Sequence, residues 1–371
     1  MPVKEYPFYM KSTVVLFGLI LLTYTLSNLR DILTPLAFAL IIAILLNPLV
    51  NRFQKRKMPK MLAIILSMFI ALVLIVAVVY FLSTQIAQFG ESFPMLSQKF
   101  NQLLVMFQNW LQKDFGISIQ KQVQLINEAV NNSKALVGHT LGTAIGILGV
   151  VFLIPVYVFL YLWYKTKMLN FLYEVFAEEN SEKVADVLSE TKLAIQSYMV
   201  GLLIEAGIVA VMNSTALLLL GVKYAILFGV IGAILNMIPY IGGIVAILLP
   251  VLMATVTKDG YTTQLGIVGA YAVIQFIDNN FLVPNIVSSK VQINALVSIL
   301  IVLLGNALWG VSGMFLSIPF VAILKIIFDR INELKPWGKL LGDEPSEDER
   351  RKRPFWKKNK DSVAEKIISK V

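Results

Sequence analysis

The sequence contains no cysteine and a single histidine, His139, among its 371 residues. A disulfide framework, thiol catalysis and cysteine-ligated metal are therefore excluded, and so is a metal site built from several histidines. The chain also lacks a Walker-type phosphate loop, a zinc-protease motif and a convincing Ser/His/Asp set. We therefore expect a protein that is not an enzyme and that carries no metal and no resident cofactor.

Charged residues are scarce, at 15% of the chain against about 25% in a soluble domain, while 57% of the residues are hydrophobic. This composition predicts an all-α, polytopic membrane protein in contact with lipid. The net charge of +9 comes from loops and from the tail. That placement fits the cytoplasmic bias of Lys and Arg better than a nucleic-acid-binding surface, so we expect no nucleic acid as a partner.

About eight apolar segments follow one another, and a spanning helix needs roughly 20 apolar residues. Two of them, 224–256 and 296–328, are interrupted near the middle. As one straight helix each would measure about 50 Å, too long for a hydrocarbon core of roughly 30 Å, so two half-length arms are favoured. Both a re-entrant hairpin and a kinked span satisfy this pattern. The other six segments are Thr13–Leu29, Ile32–Val50, Met61–Ile86, Leu141–Tyr164, Ser197–Leu220 and Thr263–Val283.

The distribution of Lys and Arg predicts the orientation. The loop after the second segment is purely basic and should be cytoplasmic, which places the N- and C-termini inside as well. Its basic residues are Arg52, Lys55, Arg56, Lys57 and Lys60. We divide the chain into N-terminal membrane helices (1–86), an extracytoplasmic amphipathic segment (87–139), a fourth membrane helix (140–164), a cytoplasmic linker helix (165–196), a C-terminal core (197–331) and a charged cytoplasmic tail (332–371).

The extracytoplasmic segment has a heptad-like seam in 88–112, where large apolar residues alternate at spacings of four and three. Two interpretations are open. The seam rests on the membrane surface or on its own domain, or it forms a contact between subunits outside the bilayer.

Asp278 is the strongest candidate for chemistry. Helical spacing places it near Gln275 and Asn279, with Asn280 following. An ionisable residue inside a membrane is costly and is a functional candidate by default. A carboxylate surrounded by amides can hold a proton or a small cation. The alternative is an interfacial carboxylate that pairs with a lysine such as Lys290.

Glu205 is the second acid within an apolar segment, and its short side chain cannot easily reach the membrane surface. It could carry a proton during transport. Alternatively, it is a protonated group that is hydrogen-bonded where two helices meet.

The two interruptions complete the candidate site. Proline removes a backbone donor, glycine permits non-helical dihedral angles, and the exposed helix ends can bind ions. A plain packing kink is the alternative. Paired interrupted segments are typical of a transporter's binding site, so we expect a small polar solute or a monovalent cation to bind there. The candidate residues are Asn236, Pro239, Tyr240, Gly242 and Gly243 in the first break, and Asn306, Gly310 and Gly313 in the second.

Three stretches in this region resemble the autoinducer-2 exporter family of bacterial permeases. They are LLLLGVKYAILFGVIGAILNMIPYIGG (217–243), QFIDNNFLVPNIVSS (275–289) and GNALWGVSGMFLSIPFVAILKII (305–327). The N-terminal plan is similar too, so the resemblance covers nearly the whole chain. At two positions this chain has Leu202 and Ala295 where the family often has Gln and Pro.

The resemblance implies a multi-helix secondary transporter of the bacterial cytoplasmic membrane that assembles as a homo-oligomer, expected to be a pentamer. Some members are linked to export of the quorum-sensing signal autoinducer-2, and others to Na⁺(Li⁺)/H⁺ antiport. Our leading hypothesis is a secondary-active exporter of a small polar solute, with H⁺ or Na⁺ as the possible coupling ion. The alternatives are a Na⁺(Li⁺)/H⁺ antiporter and an oligomeric membrane scaffold without transport.

Overall fold

The computed structural model describes residues 7–91, 93–116, 118, 120–121, 152–175, 181–238, 242–258, 260–287 and 293–342. Within these ranges the chain is helical, with short turns and no strand, which confirms the all-α class predicted from composition. His139, Pro239, Tyr240 and Lys290 lie outside the described residues, as do most of the tail and the second half of the extracytoplasmic segment.

The described residues of the N-terminal part include five long helices. The turn between the first two is a single residue, Leu29. The helices are α1 (Phe8–Asn28), α2 (Arg30–Lys55), α3 (Lys60–Glu91), α4 (Phe93–Phe115) and α5 (152–175).

Small side chains bring α2, α3 and α5 together. Ala39 and Ala43 of α2 and Ala63 of α3 are buried against Val158 and Leu162 of α5. In lipid, the hydrophobic effect contributes little to helix association, because the lipid tails are as apolar as the side chains. Close packing of small residues therefore supplies much of the contact energy.

The described residues of the C-terminal part include six further helices and one π-helical extension. They are α6 (Ser181–Leu219), α7 (Ala225–Asn236), α8 (Gly242–Thr257), α9 (Thr262–Ile277) with its π-helical continuation Asp278–Val287, α10 (Ala295–Arg330) and α11 (Lys335–Leu341).

Six helices of the described residues are long and apolar enough to cross a membrane. They are α1, α2, α3, α6 from Val184, α9 with its π-helical continuation, and α10. The first interrupted segment instead forms two short apolar helices, α7 and α8. The fourth predicted membrane helix, 140–164, is described only from residue 152 onwards, within α5.

The segment 165–196, predicted as a cytoplasmic linker helix, is described in two parts, 165–175 and 181–196. Its first part belongs to α5, and its second part continues into the predicted membrane segment as the 39-residue helix α6. No proline occurs in Ser181–Leu219, so no residue forces the helix to end between the two predicted pieces.

The first interruption is a helical hairpin formed by α7 and α8. A Cβ at Gly232 of α7 would lie 3.3 Å from the Cβ of Ala246 in α8. Nearer the open end, Ala225 and Met253 pack in one buried cluster. Residue numbers rise along one helix while they fall along the other, so the two helices are antiparallel. We call this pair hairpin 1.

The second interruption is also a hairpin, within α10. The Ser317 hydroxyl donates to the carbonyl of Ile301 at 3.0 Å, although a continuous helix would separate these residues by about 24 Å. The chain reverses at Trp309 and Gly310, and Gly310 has φ 61° and ψ −142°, a conformation that favours glycine. Two antiparallel arms, 295–309 and 310–330, result. We call them hairpin 2.

The two ends of hairpin 1 lie together after the C-terminal end of α6. The turn from α6 into α7 runs through Gly221, and a Cβ at this glycine would lie 3.3 Å from the Lys258 ammonium at the end of α8. We call the end of a hairpin where its two arms begin and finish its base. Beside the base of hairpin 1, the Tyr224 hydroxyl donates to the carbonyl of Gln88, near the C-terminal end of α3.

Hairpin 2 has its base at the opposite end of α6. Arg330, at the end of its second arm, pairs with Asp186 and Glu190 in the N-terminal part of α6. The start of its first arm is close by the same base, because α11 follows the second arm and Asn294 donates its backbone N–H to Leu341 at 3.0 Å. The two hairpins therefore enter the bundle from opposite ends of α6.

Candidate functional site

Three elements place two carboxylates around one amide. Asn236, the last residue of α7, donates from Nδ2 to Glu205 of α6 at 3.1 Å and to Asp278 at 2.9 Å. Glu205 is 3% exposed and Asp278 is 2% exposed. Asp278 is thus buried beside a second acid, while Lys290, its partner in the interfacial alternative, lies outside the described residues.

The local sequence explains why these elements come so close. A Cβ at Gly201 of α6 would overlap the carbonyl of Ile286 in the π-helical segment. A Cβ at Gly229 of α7 would overlap Ser214 of α6. Both glycines thus allow backbone-to-backbone approach, which positions Asn236 and Asp278 against α6.

Gln275 extends the polar group by one helical turn. Its Nε2 donates to Asp278 Oδ2 at 3.4 Å and to Asn279 Oδ1 at 3.2 Å. Gly243, just after the turn of hairpin 1, leaves room for this amide, because a Cβ there would lie 2.5 Å from Gln275 Oε1. We call Glu205, Asn236, Gln275 and Asp278 the acidic cluster.

The acidic cluster retains unused hydrogen-bonding capacity. Asp278 Oδ1, Asn213 Oδ1 and the Tyr271 hydroxyl are buried and have no partner among the described residues. All three side chains line a small pocket next to the cluster. Buried polar atoms are normally satisfied, so atoms left over in one place indicate a site for a donor or a cation.

No basic side chain neutralises the two carboxylates within the part of the chain that the structure describes. The ion pairs found there lie elsewhere, between Arg30 and Asp31, between Lys325 and Asp329, and from Arg330 to α6. No group of three or more His, Cys, Asp or Glu residues suited to a metal ion occurs in these ranges either. The acidic cluster can accept a proton, a monovalent cation or the donor groups of a polar molecule.

A cavity of about 810 Å³ leads away from the acidic cluster. It reaches Val287 and then Ala295 and Ser298 at the start of hairpin 2, so it extends towards the N-terminal end of α6. Its size falls within the usual range of small-molecule sites, about 300–1,000 Å³. Leu202 and Ala295, the two departures from the family pattern, both line it.

The structure brings some of the predicted site residues together and leaves others apart. The cavity is lined by Glu205, Asn236, Gly243, Gln275, Asp278 and Asn279. Gly242 is buried at the turn of hairpin 1, where a Cβ would overlap the carbonyl of Leu235. Pro239 and Tyr240 belong to the part of this turn that is not described.

Besides Gly242, four predicted residues do not line the cavity. Asn280 is exposed and donates to the carbonyl of Phe276. Asn306 is exposed on the first arm of hairpin 2. Gly310 forms the turn of that hairpin, and Gly313 packs against the facing Gly305. Asn306, Gly310 and Gly313 therefore belong to hairpin 2, and Asn280 belongs to the π-helical extension of α9.

Sequence reasoning did not select Tyr271, which lines the cavity and the small pocket. The signal was available, because Tyr271 precedes Asp278 by seven residues. Two helical turns place such residues on the same helix face.

Membrane-length helices, two oppositely directed hairpins and a buried acidic cavity between them define a membrane transporter. Comparison with known sequences names the family. The profile described as "AI-2E family transporter" matches residues 12–333, and the chain belongs to this family. It is a multi-pass integral membrane protein of the bacterial inner membrane.

Several curated relatives align over most of their length. The AI-2 transport protein TqsA of Escherichia coli is 24% identical over 338 residues, 90% of this chain and 96% of the relative. A putative transport protein of Haemophilus influenzae is 24% identical, with coverages of 84% and 90%. The putative transport protein YrrI of Bacillus subtilis is also 24% identical, with coverages of 81% and 86%.

Proposed function

We propose that this protein is a secondary-active exporter of a small polar solute, and that the acidic cluster binds the solute, its coupling ion or both. The observation that supports this most directly is the shared amide. Two buried carboxylates accept from Asn236 at the end of a cavity of about 810 Å³, with no basic partner among the described residues.

The electrostatics of the cluster supply the coupling. Two carboxylates this close repel each other strongly in a low-dielectric interior. A proton or Na⁺ that binds between Glu205 and Asp278 removes the repulsion and allows the site to close. Release of the ion restores the repulsion and favours the open state.

The hairpins supply the moving parts. Asn236 is at the tip of hairpin 1, so any displacement of this tip changes the contacts of both carboxylates. We propose that both hairpins are re-entrant and that they enter from opposite membrane faces. In transporters, oppositely oriented elements around a site near the midplane provide alternating access.

The solute would be a compact molecule with hydroxyl or amine donors, since the unused atoms of the site include the acceptors Asp278 Oδ1 and Asn213 Oδ1. One relative is named as a transporter of AI-2, so an autoinducer-2-like signal is the first candidate to test. At 24% identity, and with Leu202 and Ala295 lining the cavity, the preferred solute of this chain can differ from that of the relative.

Flux in proteoliposomes tests the proposal. Asp278→Asn should reduce solute flux about 10- to 100-fold, because it removes a charged acceptor worth roughly 1.5–3 kcal/mol. Asp31→Asn is the matched control, since Asp31 is exposed and lies in the α1–α2 turn region. The proposal fails if the reconstituted protein moves no candidate solute, or if Asp278→Asn and Asp31→Asn transport equally.

A Na⁺(Li⁺)/H⁺ antiporter is the second candidate, and the pair of neighbouring carboxylates favours it. A pH-sensitive dye inside the same proteoliposomes distinguishes the two functions. Proton movement driven by Na⁺ or Li⁺ alone, without solute, would support antiport. Solute flux without such movement supports the exporter.

For assembly, we propose a homo-oligomer that uses the exposed face of α4. Phe107 and Trp110 in the heptad-like seam are 53% and 48% exposed, whereas Phe89, before the start of α4, packs edge-on against Tyr224 and Phe228. Crosslinking before and after deletion of 88–135 measures the contribution of the seam. A scaffold would lose its function with this deletion, while a transporter core would still bind its solute.

A further inference from the structure

Three lysines from three different helices lie near one another, since the charges of Lys192 and Lys60 both act on Lys165. None of the three lines the cavity. Lys60 begins α3, Lys165 lies in α5 and Lys192 lies in α6. Lys60 donates to the carbonyl of Trp163 at 2.6 Å, and its ammonium lies 5.4 Å from the centre of the Trp163 ring. Lys165 donates to Asn47 Oδ1 of α2 at 3.0 Å. We call the three lysines with Trp163 the basic cluster.

Among the described residues, no acidic side chain pairs with the basic cluster. All three lysines are partly buried, and none of them takes part in an ion pair within the described ranges. Burial, followed by the charges of Lys192 and Lys60, lowers the pKa of Lys165. Like charges that are held together in a partly buried position are unfavourable unless an anion lies between them.

The cluster is positioned at the edge of the apolar part of the bundle. Lys165 follows the apolar segment that ends at Tyr164, and Lys60 precedes the apolar residues of α3. Trp and Lys residues at such helix ends lie at the level of the lipid headgroups. Next to Lys60, Met61 and Leu62 are more than half exposed and offer an apolar surface along which an acyl chain can lie.

We propose that the basic cluster is a binding site for the phosphate of an anionic phospholipid. Basic pockets between membrane helices are suited to anionic headgroups. The three ammonium groups supply charge and donors, and Trp163 supplies an amphipathic side chain at the headgroup level. A soluble phosphate compound would use the same donors but would gain nothing from the adjacent apolar surface.

Binding of phosphatidylglycerol to the purified full-length protein tests this site. The double variant Lys165→Gln/Lys192→Gln should bind this lipid about 30-fold more weakly. Each lysine near an anionic membrane surface strengthens binding about fivefold, or about 1 kcal/mol, and two lysines are removed. The charge-matched control is Lys335→Gln/Lys339→Gln, two exposed lysines of α11. It should bind within about twofold of the unsubstituted protein, and Lys165→Arg/Lys192→Arg should also retain binding.

Phosphatidylcholine and inorganic phosphate complete the test. At concentrations where phosphatidylglycerol raises the Tm of the protein, we expect neither phosphatidylcholine nor inorganic phosphate to raise it in a saturable way. In phosphatidylcholine alone, Lys165→Gln/Lys192→Gln should be at least as stable as the unsubstituted protein, because the substitution relieves repulsion. If inorganic phosphate raises the Tm as much as phosphatidylglycerol does, the cluster is a site for free phosphate and the lipid proposal is overturned. Equal lipid affinity of the Gln variant and its control also overturns it.

Discussion

Asn236 holds the acidic cluster together, because its single Nδ2 donates to both carboxylates. Without Asn236, neither Glu205 nor Asp278 would accept a hydrogen bond from this side chain of hairpin 1, and their mutual repulsion would not be offset by it. Among the described residues, Gln275 also donates to Asp278, at a longer distance of 3.4 Å. Stability and function are therefore expected to be linked at this one residue.

Substitution of Asn236 by Leu keeps the size of the side chain and removes the donor. We expect it to lower the free energy of unfolding by about 1–3 kcal/mol, the usual cost of a buried group that loses its partner. Thermal unfolding of the purified protein measures the change. Asn280→Leu is the matched control, since Asn280 is exposed and donates only to its own helix. It should cost less than about 0.5 kcal/mol.

Combination with Asp278→Asn tests whether the loss is due to the carboxylate pair. The free energy of unfolding of the double variant should be higher, by about 0.5–3 kcal/mol, than the value obtained by adding the two single changes. The reason is that one of the two repelling charges is gone. Strict additivity would show that Asn236 acts independently of Asp278 and would contradict the arrangement described here.

At the scale of elements, hairpin 2 depends on a pair of glycines that lets its two arms touch. In hairpin 2, a Cβ at Gly313 would overlap the carbonyl of Gly305 on the facing arm. The Ser317 hydroxyl joins the same two arms by its bond to Ile301. The arms can approach this closely only because no side chain separates them.

Gly313→Ala should therefore force the arms of hairpin 2 apart and destabilise the protein by about 1–3 kcal/mol. Gly207→Ala in α6 is the control, because a Cβ there meets nothing within 4 Å. That substitution should leave stability unchanged or raise it by up to about 1 kcal/mol, since alanine favours a helix more than glycine does. Equal Tm values for the two variants would contradict close packing in hairpin 2.

The sequence predicts both interruptions and their half-length arms, because proline, glycine and segment length are local properties. It does not predict which side of each arm faces the cavity, or which end of α6 lies beside the base of each hairpin. Asn306 illustrates this limit. It lies in the second interruption and looks like a site residue, yet its arm places it on the exposed side of the hairpin.

At the scale of the whole molecule, the hairpins predict an unusual membrane topology. The ends of hairpin 1 lie near one another after α6, and those of hairpin 2 lie near the start of α6. If both are re-entrant, α9 with its π-helical extension is the only complete crossing between them. The charge distribution then leaves the C-terminus in the cytoplasm.

Single cysteines can test this topology without background labelling, because the natural chain has none. Lys223→Cys and Lys258→Cys, at the two ends of hairpin 1, should both react with a membrane-impermeant maleimide from the periplasmic side of intact cells. Lys335→Cys, after hairpin 2, should react only after the membrane is permeabilised. Protection of one position of the 223/258 pair and labelling of the other would show instead that the segment crosses the membrane once.

By itself, the sequence determined the class of this protein, the places where its apolar segments break, and Asp278 as a buried-charge candidate. These features depend on composition and on neighbours within one or two helical turns. Only the tertiary structure decided that Glu205 and Asp278 share Asn236, since these contacts join residues 31 and 42 positions apart. Such contacts follow from how glycine-lined helices pack against one another, which no local pattern of residues specifies.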